Sequence, residues 1–350
     1  MEVQQNMLKR DRTADAETPR AAQDLTATGE GVSVNVEDLS DDDTNVSDGR
    51  GKKQTRRDSS KSHRLNRKKK KKLRKNDINL GTWNVRTMNE MGKLDILLKE
   101  LDRHDVNITG LCETRWAGEG IFNKGEHTVV YSGSDKGGEQ GVAIVMDKRF
   151  SQCLRSYNAI SERIISIKLN TKPVPLNIFQ VYAPTAESEE EDIDNFYEDL
   201  QNAKNHIPSR EACIIMGDFN AKVGEGEEPE SGIGPYGLGM RNDRGDLLAE
   251  FCQANNLTVA NTMFKQPKRR RYTWVSPGER YRNQIDYILI DSAWKTWIVN
   301  SHSRPGVDCN TDHNLVWARL RTKSYRNAEN SLTPIKYNVD SLSDDETRGM

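Results

Sequence analysis

The stretch Ile214-Ile215-Met216-Gly217-Asp218-Phe219-Asn220 is an apolar run that ends abruptly in Gly-Asp-Phe-Asn. The apolar part is typical of a buried strand, and successive side chains of a strand point to opposite faces. Asp218 and Asn220 are therefore predicted to lie on the same side of the pleat, at the end of the strand. A carboxylate and a carboxamide in that position suit a water nucleophile or a hard cation such as Mg²⁺. The competing interpretation is a strand followed by an Asx-type turn.

Five further segments combine an apolar run with a polar residue that suits phosphate or metal chemistry. Taken singly, each is typical of a hydrogen-bonded structural polar group. Their number and their order along one chain favour a shared site instead. The segments are LGTWN at 80–84, ITGLCE at 108–113, IFQVYAP at 178–184, QIDYILI at 284–290 and TDHNLV at 311–316.

This ordered set resembles the motif series of the endonuclease/exonuclease/phosphatase superfamily, the deoxyribonuclease I-like proteins. The closer resemblance is to the endonuclease domain of RTE-type non-LTR retrotransposons and to the craniofacial development protein 2-like family of the same origin. The resemblance covers residues 77 to about 321 and includes CIIMGDFNAKVG at 213–224 and NQIDYILI at 283–290. It implies an α/β fold of the α+β type, in which two packed, mixed and largely antiparallel sheets are flanked by helices in a four-layer sandwich.

The same resemblance implies metal-dependent phosphodiester hydrolysis, with Mg²⁺ or alternatively Mn²⁺ as cofactor. Such a reaction needs an activated water and neutralisation of the phosphate oxygens. Glu113 is expected to be the principal metal ligand, Asn84 to position the metal or the phosphate, and Asp312 to belong to the metal group. An oxygen donor set of this kind is what Mg²⁺ prefers.

The remaining motif residues are expected to act on the water and the phosphate. Asp218 and Asn220 would orient and deprotonate the attacking water, and Tyr182 would donate a hydrogen bond from its phenol to the phosphate or to the leaving group. His313 would contact the phosphate, while Asp286 would bond to its other ring nitrogen and fix its tautomer and charge. Whether Asp218 or His313 takes the proton stays open at this stage.

One position departs from the abasic-site endonucleases of the superfamily. Those enzymes carry an Asp two residues after the motif Asn, whereas this chain has Arg86 there. A cation cannot be a second metal ligand but could bind a substrate phosphate, which predicts a single-metal site. Arg115, two residues after Glu113, is a further candidate phosphate contact, with a simple surface arginine as the alternative.

Two features favour duplex DNA as the substrate over the inositol phosphates or lipids that other superfamily members hydrolyse: the basic block at 50–75 and the run of cations that precedes Trp274. Cations next to aromatic residues suit a DNA backbone, although a solvated hairpin tip is the alternative. Asn283 stands where an abasic-site enzyme is expected to carry an aromatic residue, which favours nicking of intact duplex. The expected DNA contacts are Lys265, Lys268, Arg269, Arg270, Arg271 and Trp274.

The net charge of -1 conceals two opposite blocks. Residues 1–49 are acidic, whereas residues 50–76 are basic and culminate in RKKKKKLRK at 67–75. Both blocks are predicted to be disordered, because neither buries enough apolar surface to offset chain entropy. Residues 77–321 suffice for one domain, and 322–350 are predicted to be a linker-like tail. The basic block favours a nuclear protein, with a solvated linker as the alternative.

Several absences complete the prediction. No signal region and no bilayer-spanning apolar run occurs, so a soluble intracellular protein without a membrane partner is expected. The sequence leaves the oligomeric state open, and a monomer is the expectation. The five cysteines lack zinc-ligand spacing and are predicted to be reduced core residues. The segment IKYNVD at 335–340 resembles the linker that leads toward the reverse transcriptase of RTE-type elements, which suggests an endonuclease module separated from its element. A catalytically inactive nuclear or chromatin interaction protein, or a phosphatase or lipid phosphodiesterase of the same fold, stays an alternative function.

Apolar spacing also predicts individual elements of the domain. Leu94, Leu97, Leu98 and Leu101 recur at i, i+3, i+4 and i+7, which indicates an amphipathic helix. Residues 224–242, rich in Gly, Glu and Pro, are predicted to be a surface loop. Two further helices are indicated by Ile193, Phe196, Leu200, Ala203 and Ile207, ended by Pro208, and by Leu247, Leu248, Phe251 and Cys252.

Overall fold

A computed structural model describes residues 77–225 and 232–321. The two predicted N-terminal blocks and the C-terminal tail lie outside these residues, so the proposed domain boundaries stay predictions. The described residues form fifteen strands: β1 Asp77–Asn84, β2 Ile108–Cys112, β3 Glu119–Lys124, β4 His127–Ser132, β5 Val142–Asp147, β6 Leu154–Ser161, β7 Ile164–Leu169, β8 Leu176–Tyr182, β9 Ala212–Asp218, β10 Leu257–Val259, β11 Trp274–Val275, β12 Arg282–Asn283, β13 Asp286–Asp291, β14 Ile298–Arg304 and β15 Leu315–Arg321.

The longer helices lie where the apolar spacing predicts them. Leu97, Leu98 and Leu101 are buried on the first of these, Lys93–Arg103. The next long helix, Glu190–Asn205, ends three residues before Pro208. The last helix is capped by Asn242, whose side chain accepts a hydrogen bond from the amide of Gly245. The four α-helices are α1 Lys93–Arg103, α2 Lys148–Ser151, α3 Glu190–Asn205 and α4 Asp243–Ala254.

Two sheets form the body of the domain. The first has the strand order β14-β15-β1-β2-β5-β4-β3, and the second has the order β10-β13-β9-β8-β7-β6. Among the described strands, β1 with β2 and β8 with β9 are parallel pairs, and the other pairs are antiparallel. The sheets are therefore mixed and largely antiparallel, as predicted.

Three apolar clusters separate four layers. The central cluster joins inward residues of both sheets, such as Ile144 and Ile214. A second cluster joins the second sheet to α3 and α4, and a third joins the first sheet to α1. This arrangement confirms the predicted sandwich of two sheets flanked by helices.

Two smaller sequence predictions have different outcomes. All five cysteines are buried and free, as predicted. The segment 224–242 is not simply a surface loop, because Ile233 is buried in the second cluster and forms an isolated bridge with Val259. An apolar residue inside a Gly-rich segment anchors that segment to the core. No helix in the described ranges is long and apolar enough to cross a membrane.

Candidate active site

Strand register brings the polar motif residues to one edge of the sandwich. Asn84 at the end of β1 pairs with Cys112 at the end of β2, so Glu113 directly follows at that edge. In the second sheet, Asp218 at the end of β9 pairs with both Tyr182 on β8 and Asp286 on β13. Both sheets thus contribute to the same end of the molecule.

A buried polar contact joins the two sheets beneath this edge. The side-chain amide of Gln180 donates to Thr82 Oγ1 and to Cys112 Sγ, each at 3.0 Å. An ideal Cβ on Gly110 would lie 1.6 Å from Gln180 Oε1, so only glycine admits this side chain. The contact fixes β1 and β2 of the first sheet against β8 of the second.

The edge opens into a cleft of about 430 Å³. Most side chains that the sequence assigns to the site line it, whereas Asp286 is buried beneath it, and Arg269, Arg270 and Arg271 do not line it. Residues that the sequence did not indicate also contribute: Thr185, Ala186, Lys222, Asn242 and Ile285. The predicted residues in the lining are Asn84, Arg86, Glu113, Arg115, Tyr182, Asp218, Asn220, Trp274, Asn283, Asp312 and His313.

His313 lies between two buried carboxylates. Its Nδ1 is 3.0 Å from Asp286 Oδ2, which is the contact predicted to fix the ring, and its Nε2 is 3.8 Å from Asp218 Oδ2. Burial alone would lower the pKa of His313, but Asp286, followed by Asp218 and Asp312, raises it to about 9. The imidazole is therefore positively charged at neutral pH.

Asp218 is the second group of the site whose pKa is shifted. Burial, and then the nearby Asp286 carboxylate, raise the pKa of Asp218 well above its usual value, although His313 acts in the other direction. Asp218 Oδ2 accepts from Asn84 Nδ2 at 3.0 Å, and its Oδ1 accepts from the amide of Asn220 at 3.0 Å. A carboxylate with a raised pKa suits a general base near neutral pH.

Asn220 and Tyr182 present one polar group each to the cleft. The side-chain amide of Asn220 donates to the Ala183 carbonyl at 2.9 Å, which leaves its Oδ1 as an acceptor. Tyr182 donates its hydroxyl to Glu113 Oε1 at 3.2 Å. Burial, followed by the Glu113 and Asp218 carboxylates, raises the pKa of Tyr182, so its phenol keeps its proton.

Asn84, which the sequence assigned to the metal, makes different contacts from those expected. Asn84 donates from Nδ2 to both Glu113 Oε1 at 2.9 Å and Asp218, while its Oδ1 accepts from the amide of Arg86. Asn84 therefore positions two carboxylates more directly than it offers an oxygen ligand. Asp312 Oδ2 accepts from the indole of Trp274 at 3.1 Å, which leaves its other oxygen available.

The donor set fits a hard divalent cation. Asp218, Asp286 and His313 hold ligand atoms within 4.8 Å of one another, but a protonated His313 ring has no lone pair for a metal, so only the carboxylates of this group can be ligands. Asp286 Oδ1 is buried and has no hydrogen-bond partner, and such an atom calls for an ion or water. Glu113 accepts three hydrogen bonds, and a carboxylate has about four acceptor positions. Carboxylate oxygens of this kind suit Mg²⁺ or Mn²⁺.

Left-handed backbone conformations cluster around the cleft. Of the nine non-glycine residues with positive φ in the described ranges, four line it: Arg86, Glu113, Arg115 and Asn220. Such conformations cost about 1–3 kcal/mol each and persist where the surroundings hold them. Here they turn the chain immediately after the strand ends and aim the side chains into the cleft.

Arg86, Arg115 and Lys222 are the arginine and lysine residues that line the cleft. Arg115 pairs with Glu113 at 3.0 Å, while Arg86 and Lys222 form no ion pair within the described residues. Lys222 could have been found from the sequence, because Phe219, Ala221 and Val223 are buried and the intervening residues face the cleft.

Arg271 contradicts its expected role as a free DNA contact. Its guanidinium donates to the carbonyls of Gln266 and Gly237 and pairs with Glu225 at 2.7 Å. The arginine therefore ties the segment after β9 to the segment before β11. Its neighbours Arg269 and Arg270 are exposed and stay candidate contacts.

Comparison with known proteins identifies the family of this chain. The profile of the Endonuclease/Exonuclease/phosphatase family matches residues 81–342. The chain belongs to this family. Its relatives include craniofacial development protein 2 of Bos taurus, which is 44% identical over 250 residues, covering 71% of this chain and 42% of the relative. The same protein of Tragulus javanicus is 43% identical over 250 residues, with 71% and 43% covered. The chain thus spans less than half of either relative.

Solved structures of low sequence identity share the fold. The endonuclease domain of TRAS1, a telomere-specific non-LTR retrotransposon, aligns with a TM-score of 0.50 and 15% identity over 70% of this chain and 98% of that chain. The AP endonuclease LMAP from Leishmania major aligns with a TM-score of 0.54 and 13% identity over 71% and 88%. At such low identity, the likeness shows the fold alone.

Proposed function

We propose that this chain is a divalent-cation-dependent endonuclease that nicks duplex DNA and derives from a non-LTR retrotransposon. The observation that carries the proposal is the group of Asp218, His313 and Asp286 at the floor of an open cleft rimmed by cations. Membership of the family supports phosphodiester hydrolysis as the reaction class. The choice of DNA and of the metal is our inference.

The distances and the pKa shifts favour one assignment of the catalytic roles that the sequence left open. Asp218 takes the proton from the attacking water, because its pKa is raised and Asn220 Oδ1 is free to hold that water. His313 stays protonated and donates from Nε2 to a nonbridging phosphate oxygen, where negative charge develops. Asp286 keeps the imidazolium oriented through Nδ1.

Glu113 and Asp312 would hold the cation, with Asn84 fixing the orientation of Glu113. Bound Mg²⁺ or Mn²⁺ would supply charge neutralisation at the scissile phosphate. Tyr182 donates a hydrogen bond from its hydroxyl to Glu113 and holds that carboxylate at the cleft. Arg86 and Arg115 sit on the same wall and bind the phosphates next to the scissile bond.

DNA is favoured as substrate by the form and charge of the cleft. It is open rather than enclosed and carries Arg86, Arg115 and Lys222 on its rim, which suits a polyanion. A family structure, the 3′ phosphatase NExo from Neisseria, is described as bound to a product DNA hairpin. We also propose that the basic block at 50–76 directs the protein to the nucleus, and that the enzyme acts as a monomer.

A plasmid-nicking assay tests the proposal. The purified chain should convert supercoiled plasmid to open circles with Mg²⁺ and not with EDTA. Glu113→Ala should abolish nicking, and circular dichroism should show that the domain stays folded although the hydrogen bonds from Asn84, Tyr182 and Arg115 are lost. Glu198→Ala on the exposed face of α3 is the matched control and should nick normally. Nicking by the Glu113→Ala protein would contradict the assignment.

A further inference from the structure

A second group of cations lies on the outer face of the first sheet, away from the cleft. Trp317 on β15 is covered there by the guanidinium groups of Arg304 and Arg319, whose central carbons lie 4.1 and 5.1 Å from a ring centroid of the indole. His302 on β14 is opposite Trp317, with ring centroids 5.1 Å apart. The indole thus forms a flat platform under three basic side chains.

These arginines are held by neutral acceptors. Arg304 donates to the His104 carbonyl at 3.1 Å, and Arg319 donates to Asn79 Oδ1 at 3.2 Å. Neither forms an ion pair within residues 77–225 and 232–321, although the more distant Asp105 favours the charge on Arg304. Burial, followed by Arg319 and Arg270, lowers the pKa of Arg304 to about 10, so Arg304 is charged at neutral pH.

The basic segment before β11 continues this group. The 3-10 helix Lys268–Arg270 packs against β14, and the charge of Arg270 acts on both His302 and Arg304. Its three side chains are exposed and form no ion pair with any described residue. Four residues after this helix ends, Trp274 reaches the cleft and pairs with the backbone of His313. The cations therefore run from beside the cleft onto the outer face.

We infer that Arg270, Arg304 and Arg319 form a second nucleic-acid-binding surface, which holds backbone phosphates outside the cleft. Clustered like charges without carboxylate partners repel one another, and a polyanion removes that repulsion while releasing its own counterions. Nucleic acid is favoured over an acidic protein because the surface continues from a cleft that fits the same polyanion. The inference deepens the proposed function, on which its choice of nucleic acid rests, but it concerns binding and not cleavage.

Binding measured without catalysis tests the surface. The full chain in EDTA would be titrated with a short duplex oligonucleotide over a range of salt concentrations. Arg270→Gln with Arg319→Gln should lower the slope of log affinity against log salt by about 1 per arginine. Arg155→Gln with Lys172→Gln removes two exposed charges, one on β6 and one between β7 and β8, and this variant is the control for net charge and should change the slope little.

The outcomes are separable. If the slope of log affinity against log salt is unchanged in the variant, or falls equally in the control, the inference is overturned. If the double variant does not fold by circular dichroism, Arg270→Gln alone keeps the test valid, because this exposed residue has no partner to lose. Loss of binding to polyglutamate with unchanged binding to DNA would assign the surface to an acidic protein and overturn the inference.

In Mg²⁺, the variant should show a higher KM with kcat unchanged. If wild type binds DNA but never nicks it, the proposed activity fails while the binding surface stands.

Discussion

His313 is the residue at which the charges of the site meet. With Asp286 at 3.0 Å and Asp218 at 3.8 Å, the folded protein binds the imidazole proton more tightly than the unfolded chain does. The motif order in the sequence was enough to anticipate the contact between His313 and Asp286. It could not separate the roles of Asp218 and His313, because both pKa shifts arise from burial and neighbours that only the fold supplies.

The raised pKa makes stability depend on pH. In EDTA, the stability that His313 contributes should be fully present below its unfolded pKa of about 6.5 and be lost as the pH rises toward its folded pKa of about 9. Thermal midpoints measured across this range should fall more steeply for wild type than for His313→Gln. His206→Gln, at an exposed position, is the control and should follow wild type. Parallel curves for wild type and His313→Gln would show that the imidazolium is not stabilised by the fold.

At the scale of elements, periodic apolar patterns predicted where the helices lie, whereas a run of contiguous arginines did not predict where each side chain points. The leucine spacing of α1 is determined by the core that the helix covers, so sequence and structure agree there. Arg269, Arg270 and Arg271 are equivalent in sequence, but a 3-10 helix and its end point them in different directions. Only Arg271 turns inward, since its carbonyl partners lie on a distant segment.

Arg271 is therefore expected to stabilise the fold. Its side chain is 17% exposed and makes two hydrogen bonds to carbonyls as well as the pair with Glu225. Arg271→Ala should lower the free energy of unfolding by about 1–2 kcal/mol, whereas Arg269→Ala at an exposed position should change it by less than about 0.5 kcal/mol. Urea denaturation of both variants measures the difference. Equal midpoints would mean that the tie between the two segments contributes nothing.

At the scale of the whole molecule, the basic block at 50–75 adds positive charge outside the domain. Deleting residues 50–75 removes a strongly basic block that no core can include. The shortened protein should shift from nucleus to cytoplasm in cells and bind DNA with a smaller salt dependence, while the circular dichroism of the domain is retained. Unchanged nuclear enrichment together with an unchanged salt slope would show that the block is only a linker.

Substrate choice depends on how the whole molecule holds DNA. Asn283 pairs with Trp274 on the hairpin of β11 and β12, and both line an open cleft, so position 283 adds no aromatic wall to enclose an extruded abasic sugar. Binding energy should then come from intact backbone phosphates, contributed by the cleft rim and by Arg269 and Arg270. The enzyme is therefore expected to nick an intact duplex at least as efficiently as the same duplex with one abasic site. Replacing Arg269 and Arg270 with Ala should weaken binding to both duplexes equally and flatten the salt dependence, without the loss of stability that Arg271→Ala brings. Incision only at the abasic position, with intact duplex left uncut, would instead place the protein among repair enzymes and show that Trp274 alone suffices to recognise the lesion.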